Sequence, residues 1–470
     1  MLLDIVSSSD SSGDDEVINL LEVPLGHEFI KVHDKIRSSG VPNCDGVKYT
    51  LSSSSGLNYR NFKSKLVNYN DNEICKYIQY GWPIGHNGSI TKCSAKQNHK
   101  GAREFPTEVS KYLHTEISLG RVIGPFNKNP YASNIAVSPL NSLEKRGTSD
   151  RRVITDLSFP ELHSVNSGIN KDVYLGQHIK TKYPTVDNII ELIIKKGEGC
   201  LLFKRDMRKA FRQIRVDPGD VHLLSFRWKG EIYSDTVLTM GLRSAAYICQ
   251  RLTNSVAFIC KSEGYEIINY LDDFCGVEKC ETAEIAFRYL GDLLKFLGIE
   301  EAKNKVALPS TRVAFLGVWF DTVAMTMEVT PERLLEIKGL TESWLSKELV
   351  TVKEVQSIIG KLNFVAKCVK PARIFIGRML NFLREMPRKG TTRLTEEFKG
   401  DILWWFTYLP NFNGVALINN NRWSLPDEVL ASDACLSGCG AVCGQEFFHR
   451  DFPKFILDCM IHIKIGRAHV

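Results

Sequence analysis

The chain contains no run approaching the roughly 18 apolar residues that a bilayer-crossing helix needs, so nothing in it reads as a membrane span. It opens MLLDIVSSSDSSGDDE, which lacks both the positive flank and the long apolar stretch of a secretory signal. These absences lead us to expect an intracellular protein, cytoplasmic and/or nuclear, with no membrane partner. The 13 cysteines are an odd number, scattered over 470 residues, and they lack the spacing of a disulfide scaffold. Free thiols are expected. Basic side chains are missing from residues 1–22, which carry six acidic ones. The formal charge of +6 therefore leaves the remainder near +12. A hydrophobic content of 43% against 24% charged fits a chain that buries a large core, and excludes a fibrous or wholly disordered one.

Ser/Asp tracts and the run Ser52–Ser55 make residues 1–60 read as mostly disordered. Order is expected after that. Helical periods or stop signals mark Glu73–Tyr80, Pro106–Ser118, Ala245–Ser262 and Thr282–Leu297. Apolar runs mark strands at Val153–Leu157, Cys200–Lys204 and Val313–Phe320, with Arg212–Asp217 continuing in extended form. His222–Phe226 with Glu231–Leu238, and Tyr265–Tyr270 with Phe274–Val277, read as hairpins. From Thr330 the period becomes helical: Thr330 and Pro331 can begin one helix, and Thr351 with Glu354 has a capping-box pattern. Arg384–Arg393 reads as a basic linker, and Leu394–Tyr408 as helix. A β-rich core with helices on one side, followed by a small helical domain, is an α+β arrangement.

The chemistry centres on Tyr270–Leu271–Asp272–Asp273. Two adjacent acids between apolar runs are costly to bury unless a cation compensates them, and oxygen donors suit Mg²⁺, with Mn²⁺ as the variant. Asp206, after the strand Leu201–Phe203, is the further acid such a site requires. A bipartite site of this kind suits phosphoryl transfer. An ordinary surface turn also explains a lone pair of acids. Lys204, Arg205, Arg208, Lys209, Arg212 and Arg215 surround Asp206. Beside an acidic site they suit triphosphate or nucleic-acid backbone, although a solvated face is the everyday reading of such a run.

These segments resemble a reverse transcriptase. YLDD is similar to that family's catalytic turn, and KRDMRKAFRQIRVDP to its first catalytic motif. The resemblance implies a right-hand polymerase of fingers, palm and helical thumb. Asp206, Asp272 and Asp273 would be the catalytic metal ligands. Phe211 would be the steric gate against the sugar 2′-hydroxyl, selecting deoxynucleoside triphosphates. LTMGLRSAAYICQ points to Met240, Gly241 and Arg243 under the incoming base pair, and RRVITDLSFPELHSVNSGI to Arg152 at the triphosphate, with Lys145 as a further candidate. Leu297–Gly298 and Phe315–Gly317 resemble the later palm motifs. YGWPIG, the stretch 98–126 and VSPLNSLEKR are similar to the DIRS-like branch of retrotransposons. The partners implied are an RNA or DNA template and its primer.

The expected divisions are 1–60 mostly disordered; 61–199 N-terminal extension and fingers; 200–329 palm; 330–390 thumb, with lysines for phosphate contacts; 391–428 connection; and 429–464 a truncated ribonuclease H-like fragment. In the last of these, Asp433 would be the first metal ligand, and the fragment is expected to be inactive. Residues 465–470, IGRAHV, match a translated sequencing adapter and read as an artefact. Zinc sites built on Cys435, Cys439 and Cys443, or on Cys75, His86, Cys93 and His99, lack the usual spacing. Thr239 and Ala246 stand where the family usually has proline, Cys249 where it has an aromatic, and Lys209 where it has a small or acidic residue. The alternative to an enzyme is a catalytically inactive nucleic-acid-binding relic or domesticated element protein. An RNA-directed RNA polymerase is a second alternative, disfavoured by Phe211.

Overall fold

A computed structural model describes residues 3–6, 43–44, 47–51, 56–88, 95–131, 133–144, 150–179, 183–369, 372–387, 390–412, 415–418, 430–434, 437–452 and 454. The chain divides into two units, Met1–Ile418 and Asn419–Val470. Among the described residues, no helix is long and apolar enough to cross a membrane.

In the first unit, the short strands Leu3–Val6, Asn43–Cys44 and Val47–Leu51 pair antiparallel, and helices α1 (Tyr59–Lys65), α2 (Ile74–Tyr80) and α3 (Pro106–Ser118) come after them. Strands β1 (Val122–Phe126), β2 (Val137–Ser138), β3 (Leu140–Glu144) and β4 (Arg151–Thr155) follow, then helix α4 (Val186–Lys196). Next come β5 (Leu201–Asp206), β6 (Ser225–Trp228), β7 (Glu231–Asp235), α5 (Ala245–Ser262), β8 (Ile267–Tyr270), β9 (Asp273–Glu278) and α6 (Cys280–Phe296). Four strands complete this region: β10 (Ala307–Ser310), β11 (Arg312–Phe315), β12 (Val318–Asp321) and β13 (Thr326–Val329). Helices α7 (Pro331–Leu345), α8 (Val352–Val365), α9 (Arg373–Glu385) and α10 (Glu396–Phe412) come last, with strand β14 (Val415–Leu417) returning to β13.

The central sheet has the order β8-β9-β5-β10 and is antiparallel throughout. Its strands alternate sides, as the two-residue period requires. Phe203 and Phe274 enter one core with Ile248, Leu252, Val256 and Ile259 of α5 and Phe287, Leu290 and Leu294 of α6. Leu202, Cys275 and Val277 enter the opposite core with Ile189 and Ile193 of α4, Val313 and Phe320, and the helices after Val329. Gly276 lies opposite Phe203, and a Cβ there would sit 2.1 Å from the Phe203 ring. A glycine is therefore what lets that ring occupy the sheet face. Each large apolar side chain so buried stabilises the fold by about 1.5–3 kcal/mol. This is a mixed α/β fold in which the sheet carries α5 and α6 on one face.

Several local expectations change. His222–Phe226 is a strand only from Ser225, because Pro218–Leu224 forms a 3₁₀ segment. Arg212–Asp217 is not simply extended: Ala210–Gln213 forms a 3₁₀ turn, because Lys209 takes a left-handed φ of 48° and Gln213 donates to the carbonyls of Arg208 and Glu300 at 2.7 and 3.0 Å. Val313–Phe320 is two strands, since Leu316 and Gly317 have φ of 50° and 75° and close a two-residue hairpin between β11 and β12. Within Arg384–Arg393, residues Thr391–Arg393 pair with Leu349–Thr351. The capping box at Thr351 forms, with Thr351 N–H donating to Glu354 at 2.8 Å. The Thr330 hydroxyl makes no such bond, although Pro331 occupies the first turn of α7. Helices α7 to α10 share one apolar core through Ile337, Trp344, Ile358, Leu362, Met379, Phe398, Ile402 and Trp405.

In the second unit, β15 (Leu430–Ala434), β16 (Gly438–Cys443) and β17 (Glu446–Asp451) form a three-stranded antiparallel meander. Asp433 pairs in register with Gly440 and is exposed.

Candidate active site

Strand β5 ends on Asp206 and its neighbour β9 starts on Asp273, and the two residues face each other in register. Asp273 also pairs with Tyr270 across the β8–β9 hairpin, which places Leu271 and Asp272 in the turn. The N–H of Met207 donates to the Asp272 carbonyl at 2.8 Å, locking that turn beside the end of β5. Three acids from two distant chain segments are thereby brought to one sheet end.

Their surroundings are crowded and electrostatically unfavourable to full ionisation. Asp206 is buried, at 3% exposure. Its Oδ2 accepts from Lys305 Nζ at 3.0 Å, while its Oδ1 is buried without a hydrogen-bond partner. Burial, and then the adjacent Asp273 carboxyl, push the Asp206 carboxyl up to about 7, against the pull of Lys305. Asp272 is raised as well, first by burial and then by the charge of Asp273. Asp273 Oδ1 lies 3.0 Å from Lys204 Nζ, an ion pair too poorly aligned to count as a hydrogen bond. Among the described residues, no group of three or more His, Cys, Asp and Glu side chains converges as a ready-made cation cage. The donor set still fits a divalent metal: it is all oxygen, two of those oxygens are buried without hydrogen bonds, and Lys305 supplies the compensating charge a cation would take over.

The other residues singled out in the sequence are distributed as follows. Phe211 lies half-buried on the 3₁₀ turn after β5 and packs against the α5 core. Met240 is 37% exposed and precedes Gly241, whose φ is 102°. A Cβ on Gly241 would meet the Thr155 carbonyl at 2.7 Å, so this turn lies tight against the end of β4. The Arg243 Nη1 donates to the Ile169 carbonyl at 2.7 Å, which ties its guanidinium to backbone. Arg152 is exposed on β4, opposite Leu143. Lys145 lies outside the described residues, as do Cys93 and Cys435. Asp433 belongs to the second unit.

Several supporting residues escaped the sequence reading. Gln250 of α5 accepts the Leu271 N–H at 2.7 Å. Its signal was an amide on the buried stripe of an apolar helix, where it is 1% exposed. Asn166 donates to the Gly241 carbonyl at 2.7 Å and accepts the Arg243 N–H at 2.8 Å, clamping the turn from both sides. Nothing local in the sequence marks it, nor Lys305, because their partners are distant in the chain. Glu116, fully buried on α3, is a fourth.

Comparison with known proteins bears on the domain and its fold. Residues 143–320 match the family described as reverse transcriptase (RNA-dependent DNA polymerase). Polyprotein P3 of Commelina yellow mottle virus is 22% identical over 290 residues, covering 59% of this chain and 14% of that polyprotein. The transposon Tf2-3 polyprotein of Schizosaccharomyces pombe is 24% identical over 219 residues, covering 45% of this chain and 15% of its own length. The chain thus spans only a small part of the curated relatives it matches. A solved structure of a foamy viral protease-reverse transcriptase in complex with double-stranded DNA superposes with a TM-score of 0.53 at 15% identity, covering 85% of this chain and 69% of that one. At that identity the likeness is one of fold. Residues 143–320 thus form a reverse-transcriptase-like domain by similarity to that family, and the chain is related to segments of viral and transposon polyproteins.

Proposed function

We propose that this protein is an RNA-directed DNA polymerase that extends a primer 3′-end on an RNA or DNA template, in the replication of a DIRS-like retrotransposon. The observation that carries the reading is the register of Asp206 opposite Asp273, with Asp272 in the adjoining turn. Carboxyls brought together at one sheet end, two of them with buried oxygens lacking hydrogen bonds, suit the holding of divalent metal. The family resemblance supports the same chemistry.

In this reading the central sheet with α5 and α6 is the palm, the sheet and helices before Lys196 belong to the fingers, and α7 to α9 make the thumb. Asp206, Asp272 and Asp273 would hold Mg²⁺, or Mn²⁺, which when bound supplies an acidified primer hydroxyl and charge neutralisation at the triphosphate. Phe211 excludes a ribose 2′-hydroxyl by volume. Gly241 keeps backbone close to the nascent pair, Met240 presents an exposed apolar surface to it, and Arg152 and Lys145 bring positive charge to the triphosphate. Arg243 shapes the turn through Ile169. Lys305 shields the carboxyls from one another in the free protein. Lys353 and its neighbours on the thumb meet nucleic-acid phosphates, so binding weakens as salt rises. The DIRS-like assignment rests on YGWPIG and VSPLNSLEKR. The β15–β17 meander is the opening of a ribonuclease H-like fold, with Asp433 as its first acid.

Primer extension on an RNA template with Mg²⁺ and deoxynucleotides tests the proposal. Wild type should extend. Asp272→Ala should bind primer–template as before and extend nothing. Extension by Asp272→Ala at the wild-type rate would overturn it. Template binding without extension by wild type would favour the inactive relic.

A further inference from the structure

Phe211 sits on a turn that is held from both sides by one buried carboxylate on a distant helix. Glu116, on the last turn of α3, is fully buried. Its Oε1 accepts from Lys209 Nζ at 3.0 Å and its Oε2 from Arg212 Nε at 2.9 Å. Lys209 and Arg212 bracket Phe211 in the chain. Arg212 also donates through Nη1 to Asp235 at the end of β7, at 2.6 Å. Asp235 is itself in register with Val122 of β1, and the Arg121 N–H donates to the Glu116 carbonyl at 2.9 Å. α3, β1, β7 and the Phe211 turn are therefore one charge-linked block.

The energetics make Glu116 its centre. A buried carboxylate is tolerated only with cationic partners, and here the two cations hold its carboxyl below the usual range even though burial works the other way. Lys209 adopts a left-handed backbone, a costly conformation for a side chain of its size, which a surrounding structure must enforce. The Lys209–Glu116 ion pair is such a restraint, and Gln213 anchors the far end of the turn through Arg208 and Glu300. Only four residues, Met207 to Ala210, separate Phe211 from Asp206, so the turn's path fixes where the ring stands relative to the acids.

We infer that Glu116 is a positioning residue for sugar selection: by fixing Lys209 and Arg212 it sets the Phe211 ring where it excludes a ribonucleotide. The inference rests on the reading of Phe211 as the sugar gate. Glu116 touches no reacting group in it. Its effect falls on discrimination rather than on chemistry.

The test compares kcat/KM for a deoxynucleotide and the matching ribonucleotide in single-nucleotide extension, for wild type, Phe211→Val, Glu116→Gln, Glu116→Asp and Lys209→Met. Phe211→Val should relax discrimination most. Glu116→Gln should lower the ratio by about tenfold or more, the scale on which sub-ångström to ångström displacements act. Glu116→Asp, which keeps the charge on a shorter arm, should recover part of it. Lys209→Met should act in the same direction and more weakly, because Arg212 keeps its pairing with Glu116. A merely structural role would scale both nucleotides equally, so an unchanged ratio in Glu116→Gln alongside a relaxed Phe211→Val overturns the inference and leaves the gate intact. An unchanged ratio in Phe211→Val overturns the gate, and this inference with it. Should Glu116→Gln fail to fold, Lys209→Met decides: its side chain is 46% exposed, and its removal strands no buried charge without a partner. An unchanged ratio there overturns the inference as well.

Discussion

Gln250 accepts the backbone N–H of Leu271 at 2.7 Å, from a helix to the turn that carries the paired acids. Leu271 has a φ of 51°, a left-handed conformation that costs a branched residue about 1–2 kcal/mol. The same amide donates to the Asn269 carbonyl at 3.0 Å and to Asn254 at 2.8 Å. Both ends of the Gln250 side chain are thus committed, and its two functions are complementary: one end holds strand β8, the other holds the strained residue beside Asp272. Strain of this kind persists where surrounding structure over-determines it.

Replacing Gln250 with Leu should therefore do two things at once. The unpaired Leu271 N–H and Asn269 carbonyl should cost about 1–3 kcal/mol of stability. The turn should relax, and extension should fall by about tenfold or more. Gln250→Glu retains an acceptor for Leu271, loses both donors, and should lie between. Urea unfolding and single-nucleotide extension measure the two effects. A stability loss with unchanged extension would show that the turn keeps its shape without the amide.

Gly241 supports a second prediction. Its φ of 102° and the Thr155 carbonyl 2.7 Å from a would-be Cβ leave no room for a methyl group. Gly241→Ala should cost about 1–3 kcal/mol from backbone conformation alone. It should also push the turn off β4 and raise KM for the incoming nucleotide. Gly339→Ala is the control: the position is helical, and nothing beyond its chain neighbours and the helix's own backbone lies within 4 Å of the new Cβ. It should leave KM unchanged and match or exceed wild-type stability, since alanine favours helix.

The N-terminal helices α1 and α2 pack into the same apolar core as the central sheet, α5 and α6. Arg251 of α5 makes a bidentate ion pair with Asp71, both 18% exposed, and its guanidinium lies 5.3 Å from the Tyr77 ring and 5.5 Å from that of Trp82. Phe62, Ile74 and Trp82 are buried in the α5–α6 core. Both side chains keep some solvent contact, so Arg251→Met should leave Asp71 without its cation at a cost of about 1–3 kcal/mol, below the range for breaking a fully buried pair. Limited proteolysis should then cut between residues 57 and 84 faster than in wild type. Equal cleavage rates would mean that apolar packing alone holds the segment.

Much of this was legible from local pattern. The strand–acid–hairpin alternation around Asp206 and Tyr270–Asp273 reads directly from apolar runs with period two, and helices α3, α5 and α6 from their spacing and stop signals. What stayed hidden depends on contacts across the chain. The 3₁₀ turn at Ala210–Gln213 is set by Gln213 reaching Glu300, and a sequence window around it shows only basic residues. Glu116 looks like a solvent-facing helix acid until α3 is folded against Arg212. Lys305 looks like one of several lysines until it meets Asp206. The hairpin turn at Leu316–Gly317 escaped notice because a leucine at positive φ is rare, so that only the glycine hints at it.

The helical segment after Val329 provides a pH prediction independent of the acids of the sheet. Asp401 of α10 is fully buried and paired with Arg378 of α9. Burial pushes its carboxyl up to about 6, more than Arg378 pulls it down. An unfolded aspartate titrates near 3.9. Between those values the folded protein therefore holds a proton that the unfolded chain releases. The stability associated with this group is fully present below about pH 4 and is lost as pH rises through about 6. Other carboxylates titrate in the opposite sense, Glu336 being held down to about 2 by Lys361 and Arg333. The readout is therefore the difference between wild type and Asp401→Asn in urea unfolding at several pH values. Relative to the variant, wild type should lose on the order of 2 kcal/mol between pH 4 and 7. A difference that stays constant over that range would mean that Arg378 fully compensates the burial and that Asp401 titrates alike in the folded and unfolded states.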